Sequence, residues 1–278
     1  MVKPQRQRMG WMERKPGFTG FWLKIIALVL MTADHVGLFF AFAGAPVWLR
    51  WLGRLSAPLF FFLLAQGFVH TRSRVRYLSR LYGCSVGMYL LDALLNRFFP
   101  RPDGFLVDNN IFATLFLTLV LLCLGDWARD AVQKKQWLRL TGLGGCFFLF
   151  FLAPSLFLLL PDSLAPLKTA LAWLFPGPFA VEGGIAFLLL GVGMVWFREN
   201  RLAFCLMYLV ISLSFLLTGT GDPLFFNYQW MMAFALPVLL CYNGERGRSC
   251  KGLFYSYYPL HIAFLFTASG LFYAGWSG

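Results

Sequence analysis

Acidic side chains are scarce: 12 Asp and Glu stand against 24 Lys and Arg in 278 residues, and charged residues of both signs make up only 13%. A soluble domain carries about twice that share of charge, so the chain has no room for a soluble domain of any size. No phosphate-cradling Gly-Lys loop, dinucleotide glycine fingerprint or nucleophile-elbow serine occurs, which excludes the soluble phosphate-binding folds as far as motifs can. The six cysteines are scattered singly, four of them (Cys84, Cys123, Cys146, Cys205) inside apolar stretches, so neither a disulfide framework nor a metal site is expected. Internal repeats, low-complexity tracts and an evident domain boundary are also missing.

What the chain has is apolar length. Hydrophobic residues make up 59% and aromatic residues 19%, and stretches of about 16 to 23 apolar residues, each long enough to cross a bilayer as a helix, recur throughout. The expected fold is an all-α polytopic bundle of about nine transmembrane helices at 21–42, 54–70, 77–98, 110–125, 138–160, 179–197, 203–218, 225–242 and 253–274. Residues 1–20 form a basic segment and 21–278 a single transmembrane domain. Alternating the connections between two sides places 18 cations on one side and five (Arg50, Arg54, Arg97, Arg101, Lys168) on the other. Positive charge stays in the cytoplasm, so the N-terminus is expected inside and the C-terminus outside a bacterial cytoplasmic membrane. The net charge of +12 is a topology signal, and nucleic acid is not an expected partner. The stretch "SLAPLKTALAWLF" (163–175) is too short for a tenth span and reads as an interfacial or re-entrant helix. The first apolar run is too long, and too rich in ionisable residues, for a cleaved signal peptide.

That first run, "LKIIALVLMTADHVG" (23–37), holds Lys24, Asp34 and His35. A charge at mid-bilayer costs several kcal/mol and persists where it pairs or does work. Lys24 and His35 are 11 positions apart, which leaves them about 20° apart in rotation and roughly 16 Å apart along a helix. They share one face at two depths. Lys24 alone reads as a snorkelling interface lysine, and His35 alone as an interhelical hydrogen bond. Asp34 is turned about 100° from His35 and addresses a different helix. Asp92 and His261 reach comparable depth in the third and ninth spans. Two imidazoles able to move protons and carboxylates able to orient them fit an acyl-transfer centre or a proton relay. On the cytoplasmic side Arg72, Arg76 and Arg80 recur at intervals of four, which forms one stripe on a helix. Such a stripe at a helix N-terminus favours phosphates, although ordinary positive-inside anchoring accounts for it too.

Seven blocks carry a resemblance: "LKIIALVLMTADHVG", "GRLSAPLFFFLLAQGF" (53–68), "RYLSRLYG" (76–83), "NIFATL" (110–115), "EGGIAFLLLGV" (182–192), "WMMAFALPVLLCYNGERG" (230–247) and "FYSYYPLHIAFL" (254–265). In this order the chain resembles the TraX family of integral membrane proteins, whose founding member is linked to N-terminal acetylation of conjugative pilin. Its first block is also similar to the first-helix signature of the wider transmembrane acyltransferases, in which a basic residue precedes a histidine by 11 positions. The resemblance implies transfer of an acetyl or other acyl group from cytoplasmic acyl-CoA to an acceptor at or beyond the outer face. In it His35 corresponds to the essential histidine, which can act as general base or first take the acyl group itself, Lys24 to its basic companion, and Arg76 and Arg80 to a cytoplasmic arginine block; His261 falls where a last-helix histidine is often found. The CoA head group would then dock on Arg72, Arg76 and Arg80, with the thioester reaching past Lys24 towards His35. Asp34, Asp92 and His261 complete the expected catalytic set.

Two other classes fit the residues. A proton-coupled transporter would use Asp34, His35, Asp92 and His261 as its relay, although paired Gly- or Pro-broken helices are not evident. A noncatalytic assembly factor would leave the membrane histidines unexplained. The acceptor stays open among a peptide, a glycan and a small molecule; Arg54, Asp108, Asn109, Asn110, Glu182, Asp222, Asn227 and Gln229 are candidate lining residues for its access.

Overall fold

A computed structural model describes residues 16–157, 159–249 and 251–276. Lys3, Arg6, Arg8, Arg14 and Lys15, the basic residues expected ahead of the first span, lie outside the described residues.

Among these residues the chain is all-helical, with one isolated bridge between Phe18 and Tyr242. Helix α1 (Gly20–Phe39) runs without a proline and stops where Gly44 takes a left-handed conformation, φ 79°, after a single 3₁₀ turn. Helices α2 (Trp48–Gly53) and α3 (Ser56–His70) follow almost end to end, with Pro58 in the first turn of α3, where its missing N–H is tolerated. Helix α4 (Arg74–Phe98) ends before Pro100. Helix α5 (Ile111–Gln133) is capped by the Asn110 side chain, which accepts from the Ala113 N–H. Helix α6 (Trp137–Phe147) passes through a π-helical segment (Phe148–Leu152) into α7 (Ala153–Phe157). Pro154 cannot donate to the preceding turn, and the wider spacing there absorbs the missing bond.

The stretch expected to be interfacial or re-entrant forms α8 (Ala165–Leu174), 10 residues long. At a rise of about 1.5 Å per residue it covers roughly half of a bilayer core. Helix α9 (Gly184–Trp196) and helix α10 (Arg201–Thr218) come next. A long 3₁₀ segment (Tyr228–Ala235) runs into α11 (Leu236–Leu240), and α12 (Lys251–Trp276) carries Pro259 inside it.

Among the described residues five stretches are long and apolar enough to cross a membrane: Gly20–Phe39, Trp48–His70, Ile111–Gln133, Trp137–Phe157 and Arg201–Thr218. They match the first, second, fourth, fifth and seventh expected spans. Helices α4 and α12 are longer, at 25 and 26 residues, but α4 carries four arginines and Asp92, and α12 four tyrosines and His261, which lowers their hydropathy. Gly184–Trp196 and Tyr228–Leu240 are apolar but shorter. On α10 the apolar side chains Leu202, Leu206, Val210 and Leu217 are largely exposed. In water that stripe would drive association, whereas lipid solvates it. The chain is a membrane protein.

Contacts divide the chain into two compact units. The first takes the described residues up to His70, Ala93–Val107 and those from Gly193 onward, and the second takes Thr71–Asp92 and Asp108–Val192. Leu23, Ala27, Phe61, Phe62, Phe204 and Phe266 are fully buried in the first. In the second, α5 is the central helix, with Leu117, Leu119 and Cys123 fully buried.

In the first unit Lys24, Thr32 and His35 of α1 meet Phe254, Tyr257 and His261 of α12 in that order. Partner positions rise together along both helices, so α1 and α12 run parallel. Their far ends are tied by Arg101, whose side chain is 2% exposed. Its Nη1 donates to the Phe39 carbonyl at 2.8 Å and to Ser269 Oγ at 2.9 Å, and its guanidinium lies over Phe42 and Phe105. That cation also satisfies the last turn of α1, where carbonyls lack intrahelical partners. Asp103 accepts from Nε and Nη2, which holds its carboxyl below its ordinary value of 3.8.

Arg101→Ala leaves a buried carbonyl unsatisfied and is expected to destabilise the detergent-solubilised protein by about 1–3 kcal/mol, read as a lower unfolding midpoint. Arg101→Lys, lacking the planar fork, is expected to recover only part of it. The Asp103 pair adds stability at pH values above the ordinary carboxyl pKa, and this part is lost as pH falls through the depressed one.

Candidate functional site

The residues at 23–37 and 254–265 place the site. On α1, Thr32 and His35 are three apart and share a face; on α12, Tyr257 and His261 are four apart and do the same. Packing the two faces brings His35 Nδ1 within 2.8 Å of His261 Nε2. Both rings are buried, at 5% and 7% exposure.

The bonding pattern fixes the protons of the neutral pair. His261 Nδ1 lies 2.9 Å from the Tyr257 carbonyl, and a carbonyl only accepts, so Nδ1 carries the proton. Nε2 of the same ring then holds a lone pair and accepts from His35 Nδ1–H. That leaves the basic lone pair of His35 on Nε2. A backbone carbonyl therefore does what carboxylates were expected to do.

Aromatic rings wall the pair. Phe39 stacks on His35 at 5.7 Å and Tyr257 on His261 at 5.2 Å, while Tyr258 meets both imidazoles edge-on. Thr32 Oγ1 donates to the Leu28 carbonyl at 2.8 Å and so accepts from the Tyr257 hydroxyl at 2.7 Å, committing that phenolic proton. Three turns towards the N-terminus Lys24 lies over the Phe254 ring, 4.9 Å from its centroid, on the same α1 face as His35.

Asp34 goes elsewhere, as its 100° offset requires. Arg54 Nη2 donates to both of its carboxylate oxygens at 2.6 Å, and Arg50 Nη1 reaches Oδ1 at 2.9 Å and the Asp34 carbonyl at 3.1 Å. Tyr228 and Gln229 complete the cluster, the hydroxyl accepting from Arg50 Nε and the amide oxygen from Arg54 Nη1. Gly53 permits this approach, since a Cβ there would stand 2.2 Å from Asp34 Cβ. Both Asp34 oxygens are engaged by guanidinium groups, so Asp34 is a clamp between α1 and α2 and not a partner of the imidazoles. Two arginines against one aspartate leave a net positive charge within electrostatic range of His35. The sequence marks Arg50 as a topology cation and Arg54 as both a topology cation and a lining residue for acceptor access; the small residues Gly37 and Gly53, which let α2 approach α1, were the available signal for the cluster.

The remaining expected residues belong to the second unit. Asp92 is buried on α4, with Oδ2 accepting the Asn109 N–H at 3.2 Å. Arg72 precedes α4, and Arg76 and Arg80 lie on it, all three exposed. Of the four residues in the expected catalytic set, the structure joins His35 and His261.

Asp34→Ala would leave two guanidinium groups, only 16–17% exposed, without their counter-ion. The expected loss is about 3 kcal/mol in unfolding free energy. Asp34→Asn is expected to lose less, because its side-chain oxygen still accepts a bond, and a thermal unfolding series in detergent distinguishes the two.

Comparison with known proteins bears on this geometry. A family model described as "TraX protein" matches residues 20–269. The "Probable fimbrial assembly protein FimC, serogroup H1" of Dichelobacter nodosus is 28% identical over 274 residues, covering 92% of this chain and 98% of that protein. No solved structure matches.

Proposed function

Since the chain belongs to the TraX family, we propose that it is an integral membrane acyltransferase that moves an acetyl or other acyl group from acyl-CoA to an acceptor, with His35 as general base. The observation that carries this reading is the buried hydrogen bond between His35 and His261, whose tautomers leave the basic lone pair on His35 Nε2.

In the reaction, an acceptor amine or hydroxyl attacks the thioester carbonyl while Nε2 takes its proton. The new C–N or C–O bond forms, the C–S bond breaks, and the departing thiolate receives the proton back from the imidazolium. His261 acts through His35, as a positioning residue that holds the ring and its tautomer. The positive charge left over by the Asp34–Arg50–Arg54 cluster has the sign that stabilises a developing oxyanion. Lys24 is a cation on the same helix face and suits an anionic part of the donor. The similarity to a protein named for fimbrial assembly favours a pilin-like subunit as the acceptor.

The reading includes nine spans with the N-terminus cytoplasmic and the C-terminus extracytoplasmic. Parallel α1 and α12 support it: two helices that cross in the same sense require an odd number of spans. A reporter fused after Gly278 that is active only in the cytoplasm would contradict it.

Thiol release from acetyl-CoA by purified protein, supplied with surface extract as the acceptor source, tests the mechanism. His35→Ala is expected to lower turnover by about 10²- to 10⁴-fold while acetyl-CoA still binds. His261→Ala is expected to show a smaller loss and an altered pH profile, with His261→Gln, which retains a polar side chain, recovering part of it. Wild-type turnover in His35→Ala would sink the proposal.

A further inference from the structure

An apolar cavity of about 300 Å³ lies wholly within the second unit, between α4 and α5, with Cys146 and Phe150 on its third side. Val75, Ser79 and Tyr82 line it from α4 at intervals of four and three, and Phe116, Val120 and Cys123 line it from α5 at the same intervals, so each helix gives it one face. Two contacts close its ends. Arg74 pairs with Asp126 at 2.5 Å, and further along α4 the Tyr82 ring meets Phe116 at 5.1 Å. The α4 stretch between them covers about 12 Å of helix.

The hydroxyl groups in its walls are committed. Tyr82 donates to the Leu174 carbonyl at 3.0 Å, and Ser79 Oγ to the Arg76 carbonyl at 3.3 Å. Phe116, Val120 and Cys123 are buried and form the floor, whereas Val75 is 65% exposed and Ser79 is exposed. The cavity therefore opens on the Val75–Ser79 side of α4. An apolar opening of this kind, in a protein surrounded by lipid, excludes polar solutes and admits an alkyl chain.

Charge stands beside the opening. Residues 71–80 and 126–139 hold eight Lys and Arg against two Asp, and both aspartates are taken, Asp126 by Arg74 and Asp130 by Lys134 and Arg139. Arg72, Arg76 and Arg80 are exposed, and none of them has a carboxylate partner among the described residues. Arg76 follows Val75 and stands one turn before Ser79, and Arg80 follows Ser79, so both side chains leave the helix at the edge of the opening. Cations without a counter-ion next to an apolar opening match a ligand that is anionic at one end and alkyl at the other.

We infer that this cavity takes one acyl chain of an anionic phospholipid, with the phosphate on Arg76 and Arg80. Basic pockets between membrane helices suit such head groups, and the guanidinium fork suits phosphate oxygens. A long-chain acyl-CoA also joins phosphate to an alkyl chain, but its pantetheine arm holds the two far apart. In a phospholipid the glycerol leaves only a few bonds between them. That short separation is what Arg76 and Ser79 call for, being neighbours on one helix surface. The volume stands at the lower end of the about 300–1,000 Å³ of small-molecule sites and holds part of a single chain. The arginine stripe is thereby given a lipid, rather than the CoA head group, as its ligand. The inference does not rest on transfer at His35.

Native mass spectrometry of the full chain in detergent, titrated with dioleoylphosphatidylglycerol and separately with dioleoylphosphatidylcholine, decides it. Saturable binding of one phosphatidylglycerol is expected, about tenfold or more tighter than the choline lipid, which has the same chains. The Arg76→Ala, Arg80→Ala double variant is expected to lose that preference, and Ser79→Trp, which sets a ring in the opening, to weaken both lipids about tenfold or more. All three positions are exposed, so both variants are expected to keep the wild-type unfolding midpoint. Equal affinity for the two lipids overturns the inference, as does wild-type phosphatidylglycerol binding by either variant. Displacement of phosphatidylglycerol by acetyl-CoA, which has the phosphates without the long chain, overturns it too and makes the stripe a donor site.

Discussion

The ion cluster of Asp34 with Arg50 and Arg54 sets the rotation of α1, and the rest of the first unit follows from that rotation. A partly buried carboxylate cannot leave two guanidinium groups without a large penalty, so the azimuth of α1 is fixed from the α2 side. His35 is the next residue, a step of about 100° around the helix. With Asp34 turned to α2, His35 is turned to α12. The same packing carries Thr32 to Tyr257 and Lys24 to Phe254, so one ionic clamp on one side selects three contacts on the other.

The histidine pair is assembled from neutral parts. A carboxylate beside His35 would add a charge to a buried site and demand compensation. The Tyr257 carbonyl is already paid for by the helix and brings no net charge, yet it dictates the tautomer of His261 and, through it, that of His35. Aromatic rings pack against both imidazoles. Pro259, two residues before His261, lies in the same turn as these contacts. A proline within a helix removes one backbone bond, here the one to the residue four before it, which is Tyr255 and not the Tyr257 whose carbonyl the His261 ring meets.

Polar groups in the apolar interior are concentrated at a few points: the imidazole pair, the Asp34 cluster and Arg101 in the first unit, and the Asp92 loop in the second. Arg101 and each arginine of the Asp34 cluster meet several partners at once, as the planar guanidinium allows. Between these points the helices pack through Phe, Leu and Ala, which define contact but not register. The polar clusters supply the register, and the exposed apolar stripes, such as that on α10, face lipid.

Composition alone determined that this chain is a helical membrane protein, since so few charges cannot cover a water-facing surface and lipid admits helices that satisfy their own backbone. The 11-residue spacing placed Lys24 and His35 on one face, and the 100° offset sent Asp34 to another helix; both are properties of a single helix and need no neighbour. Where Asp34 went was beyond the sequence, because its partners lie 16 and 20 positions away on a helix whose approach depends on Gly53. The meeting of His35 with His261, 226 positions apart, and the acceptor role of the Tyr257 carbonyl were decided only by the packing of α1 against α12. Periodicity assigns a residue to a face. Which face meets which is a property of the folded chain, fixed here by buried charge and by the close approach that glycine allows.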